Sequence, residues 1–161
     1  PEFLRVLELN DARLYQNTRN AVKLLMLTFV RTSELIGASW DEIDFQAKEW
    51  VIPAERMKMR KAHVVPLSDQ AIEILKSQKE IAGSWPLVFP STVRPKQSIS
   101  NNTILGAIKR MGYQGRMTGH GFRALAMQLS RSLAIGMKWW IDSLHTHRKT
   151  RLIKPMIALI F

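Results

Sequence analysis

A chain of 161 residues that is 46% hydrophobic is long enough to bury one core, which argues against wholesale disorder. It contains no cysteine, which excludes disulfides and thiolate metal sites, and no apolar run long enough to span a membrane. Its 24 Lys and Arg residues outnumber 13 Asp and Glu, and the resulting net charge of +11 favours a polyanionic partner, most commonly nucleic acid.

The first half of the chain combines an apolar helix with a small sheet. Residues 11–30 predict a helix with Asn10 or Asp11 at its N-cap and a broad apolar surface. Residues 40–67 contain three short runs of strand-forming residues separated by turn signals, which predict a three-stranded antiparallel sheet. Lys58 is expected near the tip of the hairpin that joins the last two strands.

Two further helices are predicted in the second half. Ser68 is suited to cap a helix over residues 69–81, and Gly83 is suited to end it. Residues 101–111 predict another helix, whose inward-facing residues are Ile104, Leu105 and Ile108. The predicted fold class is therefore α+β and mainly α-helical, with a small three-stranded antiparallel sheet.

Several side chains are suited to binding a phosphate. His120 and Arg123 follow a Gly-rich turn at a spacing of three, so on a helix they would share one face. Arg31 directly follows an apolar segment, where a charge needs an anionic partner. Glu34 could be that partner in a structural ion pair, or the partner could be a substrate phosphate. Both can hold at once, with Glu34 orienting Arg31. Taken alone, Lys58 also fits a solvated basic loop, and His120 with Arg123 also fits a position at the surface or at the edge of the core.

Three motifs are collinear along the chain: Arg31-Thr32-Ser33-Glu34-Leu35, Lys58 ahead of His63-Val64-Val65-Pro66-Leu67, and Thr118-Gly119-His120-Gly121-Phe122-Arg123. Together they resemble the catalytic domain of tyrosine recombinases, specifically of prophage-type integrases. The segments at 40–45 and 109–113 are similar to that subgroup too. The resemblance covers about residues 1–127.

The resemblance implies a role for each motif residue at the scissile DNA phosphate. Arg31 and Arg123 would neutralise the non-bridging oxygens of the transition state, and Lys58 would be the general acid on the leaving 5′ oxygen. His120 would assist proton transfer and hold the phosphate. Glu34 would support Arg31 without contacting the phosphate itself. The family uses a Tyr nucleophile that forms a 3′-phosphotyrosyl link, so no metal and no other cofactor is implied.

The resemblance also implies partners and a location. The expected partner is double-stranded DNA at attachment sites, on which the family acts as a homotetramer. A location in the bacterial cytoplasm with the nucleoid is expected, without a membrane. The implied function is site-specific recombination that integrates a prophage or mobile element.

The nucleophile of the family has no match in this chain. The only two tyrosines are Tyr15 and Tyr113. Tyr113 precedes His120, which is the wrong motif order, and we interpret it as a structural aromatic residue. His145 and His147 lie in surroundings unlike those of the family's second His. We therefore expect a truncated, inactive fragment without a nucleophile, or alternatively a non-catalytic remnant that binds DNA phosphates without sequence preference.

The tail at residues 128–161 lacks a clear amphipathic pattern, which a frameshift would explain. Met and Trp have single codons, so shifting the reading of 137–141 by one base forces Glu and later Val and Asp. With favourable third bases, 144–147 becomes Phe-Ala-His-Ala and 154–158 becomes Ala-Tyr-Asp-Arg-Ala. These peptides are similar to the two family motifs that the chain lacks, which carry the second His and the Tyr nucleophile. We hypothesise a frameshift near residues 127–129 that replaced the last helices of the domain. The altered tail could instead mediate oligomer contacts in a protein unrelated to recombination.

Overall fold

The computed structural model describes residues 2–57, 59–118, 121, 122 and 124. Within this part of the chain, the helices are α1 (Glu2–Leu9), α2 (Gln16–Thr28), α3 (Thr32–Ile36), α4 (Asp69–Ala82) and α5 (Asn101–Arg110). The strands are β1 (Ile43–Asp44), β2 (Glu49–Ile52) and β3 (His63–Pro66), and short 3-10 turns lie at Trp40–Glu42 and Ala54–Arg56. The predicted fold class, mainly helical with a small sheet, is confirmed.

The three strands form one antiparallel sheet in the order β1-β2-β3. Trp50 pairs with Ile43 on one side and with Val65 on the other. Successive side chains of a strand point to opposite faces, so Trp50 and Ile52 share the face that packs on the core while Val51 is exposed. The sheet predicted for residues 40–67 is confirmed.

Helices α2 and α4 pack together over the centre of the core. Leu24 and Leu25 of α2 and Leu75 of α4 are essentially inaccessible to solvent. The predicted caps of α4 are confirmed, because the Ser68 hydroxyl accepts a hydrogen bond from the Ala71 backbone N–H at 3.2 Å and the helix ends at Gly83.

A buried polar network crosses the same interface. Gln78 has no exposed surface, and its Nε2 donates to Asn17 Oδ1 at 2.9 Å and to the Val88 carbonyl at 2.8 Å. Asn20 Nδ2 donates to Gln78 Oε1 at 3.1 Å, and Asn17 Nδ2 donates to the Pro90 carbonyl at 2.7 Å. These bonds tie α2 and α4 to the segment at residues 87–90.

Two details of the predicted helices are wrong. The helix expected over residues 11–30 begins only at Gln16, because Asn10 has a left-handed backbone (φ 56°) and its Oδ1 accepts from the Leu14 N–H at 2.8 Å, which stabilises a loop instead. In α5, Ile104 and Ile108 are buried as predicted, but Leu105 is 39% exposed. None of the described helices is long and apolar enough to cross a bilayer.

Candidate functional site

Arg31 is placed by a tight reversal between α2 and α3. Phe29 ends α2 in the left-handed region (φ 52°, ψ 21°), and its N–H donates to the Leu25 carbonyl at 3.0 Å. This conformation is unfavourable for a residue with a Cβ, and the Phe29 side chain is buried. Arg31 then adopts an extended backbone and becomes the N-cap of α3.

Glu34 holds Arg31 at two points. Its Oε1 accepts from Arg31 Nη1 at 2.6 Å, and its Oε2 accepts from the Arg31 backbone N–H at 2.8 Å. The Glu34 side chain is only 3% exposed, whereas 37% of the Arg31 side chain remains exposed. The buried carboxylate is therefore neutralised from one side, while the arginine keeps an accessible surface.

The guanidinium of Arg31 retains free donors. An arginine carries five N–H donors, and within the described chain the Arg31 side chain contacts only Glu34 among acceptors. The carboxylate holds the guanidinium through Nη1, and four N–H donors of the planar group remain for another acceptor. The geometry suits a bound oxyanion such as phosphate. The two interpretations of Arg31, ion pair and phosphate ligand, are thus compatible.

A second ion pair, between Arg56 and Glu42, also contacts Glu34 and was not predicted. Arg56 Nη1 donates to both carboxylate oxygens of Glu42, and Arg56 Nη2 donates to the backbone carbonyl of Glu34. Trp50 Nε1 donates to Glu42 Oε2 at 2.9 Å. Glu42 precedes β1 and Arg56 follows β2, and the pairing of these two strands brings the residues together. No local sequence pattern therefore predicts the ion pair.

The segment after α5 carries the second predicted motif. The Gly121 N–H donates to the Thr118 carbonyl at 2.9 Å and to its hydroxyl at 3.1 Å, which starts a helical turn. Phe122 is buried, and its ring makes an edge-to-face contact with Phe3 at a centroid distance of 5.5 Å. His120 and Arg123, which flank Phe122 in the sequence, lie outside the described residues.

The structure therefore describes two of the five predicted site residues and brings them together. The ion pair between Arg31 and Glu34 is confirmed, while the roles of both residues toward DNA stay predictions. Lys58, like His120 and Arg123, lies outside the described residues. Within the sequence it belongs to the connection between β2 and β3, after the half-buried Met57.

The two tyrosines occupy different environments. Tyr113 is 9% exposed, and its ring contacts Phe3 edge to face at 4.8 Å between centroids. The Arg116 guanidinium lies 5.3 Å from the same ring. The interpretation of Tyr113 as a structural aromatic residue is confirmed. Tyr15 is 71% exposed at the N-cap of α2, and the tail with His145 and His147 lies outside the described residues.

Comparison with known proteins shows that the chain is similar to phage and prophage integrases. The family model described as "Phage integrase family" matches residues 3–134. The protein "Prophage integrase IntA" of Escherichia coli (strain K12) is 42% identical over 118 residues, which cover 73% of this chain. Those residues cover only 29% of IntA, so the chain spans less than one third of that relative.

Solved structures share the fold at lower sequence identity. The crystal structure of XerA recombinase matches 99% of this chain and 61% of its own chain with a TM-score of 0.68 at 20% identity. The Tn1549 transposon integrase, solved in complex with transposon right end DNA, matches 99% of this chain and 63% of its own with a TM-score of 0.63 at 12% identity. The arrangement of helices and sheet is therefore one that these recombinases also adopt.

Proposed function

Since this chain belongs to the phage integrase family, we propose that it is part of a site-specific DNA recombinase and that Arg31 binds a phosphate of double-stranded DNA. The observation that carries the proposal is the contact between Arg31 and the buried Glu34, which leaves the remaining guanidinium donors accessible. In the complete recombinase, a homotetramer would act on attachment-site DNA in the bacterial cytoplasm, with the nucleoid.

The chemistry of the arginine supports this assignment. A planar guanidinium donates two parallel N–H bonds to a phosphate and stays charged at every physiological pH. Placed on the non-bridging oxygens, it stabilises the additional negative charge of a pentacoordinate transition state. Arg123, Lys58 and His120 would complete the site as the family resemblance implies, with Lys58 as general acid on the leaving oxygen.

The charge of the chain supports a nucleic-acid partner. The segment from residue 91 to 116 contains no Asp or Glu, and each of its five basic side chains is exposed. These residues are Arg94, Lys96, Lys109, Arg110 and Arg116. Such a field attracts a phosphate backbone irrespective of base sequence. Binding should weaken steeply as the salt concentration rises, because the release of condensed counterions from DNA then gains less free energy.

Strand cleavage by this chain alone is not part of the proposal. A 3′-phosphotyrosyl link needs an accessible tyrosine hydroxyl near the phosphate site, and the buried Tyr113 packs against Phe3 instead. Tyr15 does not lie in a family motif. The second candidate function, a non-catalytic remnant that binds DNA phosphates, is favoured by this burial.

The catalytic domain would then comprise residues 1–127, and a frameshifted tail would comprise residues 128–161. The Asp that follows the Tyr in the alternative frame is forced by the single codon of Met156. Determining the nucleotide sequence of the gene tests the proposal. A Tyr codon that straddles the codons of Pro155 and Met156 supports the frameshift, and any other codon at that place in the alternative frame refutes it.

Fluorescence anisotropy with a labelled duplex tests the phosphate-binding role. We expect Arg31→Ala to weaken binding by about tenfold at low salt and to reduce the salt slope by about one. Arg5→Ala removes the same charge from an exposed position on α1 and is the matched control, with a smaller expected loss. Equal losses in both variants, or no binding by the unmodified chain at low salt, would refute a phosphate role for Arg31.

A nicked suicide duplex tests the absence of cleavage. With such a substrate the released strand diffuses away, and any covalent intermediate accumulates as a slower band in a denaturing gel. We expect no such band for the unmodified chain. A covalent complex that disappears in Tyr113→Phe or Tyr15→Phe would identify a nucleophile and overturn the inactivity proposal.

A further inference from the structure

Arg56 connects the β2–β3 region directly to the backbone of α3. It follows β2 in the 3-10 turn at Ala54–Arg56, and only 23% of its side chain is exposed. Its Nη1 is neutralised by the carboxylate of Glu42, which Trp50 Nε1 also binds. The guanidinium is therefore held in place before it reaches α3.

Helix α3 needs such support because it is very short. It contains five residues, so most of its carbonyl groups have no partner within the helix. An isolated helix of this length is not stable, and a cation near its C-terminal carbonyls is favourable. Arg56 Nη2 donates to the carbonyl of Glu34 and thereby satisfies one of these groups.

Glu34 is the residue that both arginines share. Its backbone carbonyl accepts from Arg56, and its carboxylate accepts from the side chain and the backbone N–H of Arg31. A movement of the Glu34 backbone would therefore move the carboxylate that orients Arg31. We propose that Arg56 is a positioning residue for Arg31, which acts by fixing Glu34 and makes no contact with DNA itself. The functional part of this proposal rests on the phosphate-binding role of Arg31.

The contact between Arg56 and Glu34 depends on the forked shape of the arginine and on the space left by Gly37. The planar fork of Arg56 spans a carboxylate and a carbonyl at once, which the single ammonium group of a lysine cannot reproduce. A Cβ added at Gly37 would lie 2.9 Å from Arg56 Nη2 and 3.4 Å from its Cζ. Gly37 has a negative φ of −89°, so its role is to leave space for the guanidinium.

These features define two independent variants. Gly37→Ala displaces the end of the Arg56 side chain without changing any charge, because only a flexible side chain has to move. Arg56→Lys keeps the charge and removes the fork. The matched controls are Gly106→Ala, where an added Cβ meets no atom within 4 Å, and Arg5→Lys at an exposed position.

The first measurement uses ¹⁵N NMR of the arginine side chains in the absence of DNA. The Arg31 guanidinium signal, assigned with Arg31→Lys, reports its hydrogen bond to Glu34. We expect this signal to shift and to lose its slow rotation in Gly37→Ala and Arg56→Lys, and to stay unchanged in both controls. The backbone amide spectrum verifies folding of each variant. An unchanged Arg31 signal in folded Gly37→Ala would overturn the positioning role, whether or not the chain binds DNA.

The second measurement is a double-mutant cycle of DNA affinity. We expect Gly37→Ala to weaken duplex binding by about 3- to 10-fold, and to have no further effect in a chain that already carries Arg31→Ala. An equal loss in both backgrounds would mean that Gly37 and Arg56 act independently of Arg31, which contradicts the proposal. If the unmodified chain binds no DNA, the proposed function fails, while the NMR comparison still decides the link between Arg56 and Arg31.

Discussion

The carboxylate of Glu34 accepts hydrogen bonds from both the side chain and the backbone of Arg31, at 2.6 and 2.8 Å. In a capping box the N-cap side chain returns a bond to the backbone of the third helical residue, but arginine has no acceptor with which to do so. The arginine side chain is instead free to serve a ligand on its other edge. One buried acid thus starts α3 and orients a surface cation.

Replacement of Glu34 by glutamine should affect both folding and DNA binding. Glu34→Gln keeps the shape but turns one acceptor into a donor that faces an N–H of Arg31. We expect the free energy of unfolding to fall by about 1–3 kcal/mol in urea denaturation. Duplex affinity, measured by anisotropy, should fall by several-fold. Glu80→Gln, an exposed change on α4, is the control, and an equal loss there would contradict a specific role.

The buried amide network predicts a strong effect at Gln78. Gln78→Leu preserves much of the volume but leaves Asn17 Oδ1, the Val88 carbonyl and Asn20 Nδ2 without a partner. Buried polar groups without partners are costly, so we expect a loss of about 2–4 kcal/mol in the free energy of unfolding. Gln70→Leu places the same change at an exposed site of α4 and should cost far less. Similar losses would show that the network is not what stabilises this interface.

Two glycines with open surroundings should respond oppositely to alanine. An added Cβ meets nothing within 4 Å at either Gly83 or Gly106, so the backbone alone decides the outcome. Gly106 lies within α5, where alanine should stabilise the fold by about 0.5–1 kcal/mol. Gly83 has φ 61° and ψ −126°, a backbone conformation that strains any residue with a Cβ. Alanine at position 83 should therefore destabilise the fold by about 1–3 kcal/mol. Thermal unfolding of both variants tests the contrast, and changes of equal sign would contradict it.

The aromatic cluster around Phe3 yields a fourth prediction. Phe3 contacts Tyr113 at 4.8 Å and Phe122 at 5.5 Å, each edge to face. Phe3→Leu keeps an apolar side chain but loses both ring contacts, which should lower the free energy of unfolding by about 1–3 kcal/mol. Leu9→Ala, on the exposed face of α1, is the control. Urea denaturation that gives equal losses in the two variants would mean that α1 is not fixed by the aromatic cluster.

Local patterns in the sequence predicted the sheet, α4 and α5. Ser68 and Ser100 each cap a helix through their hydroxyl, which is a local interaction that propensity captures well. The start of α2 was not predictable in the same way, because Asn10 competes for the backbone through its own side chain. Residues 2–9 show no comparable start signal, and α1 depends on the distant aromatic rings that receive Phe3.

The candidate site shows the same division between local and distant contacts. Glu34 is one turn from Arg31, so their ion pair follows from spacing on a helix. Arg56 is far from Glu34 in the sequence, and its contact depends on how the sheet packs against α3. A basic stretch looks the same in sequence whether its arginines face solvent or hold a backbone carbonyl, so the role of Arg56 required the fold.

The contact between Phe3 and Phe122 joins the two ends of the part of the chain that the structure describes. Closing so long a segment of chain carries a larger entropic cost than closing a shorter one. We therefore expect the intervening helices and sheet to form first and this contact to form late in folding. During synthesis, α1 must wait for residue 122 to emerge from the ribosome before it can complete its packing.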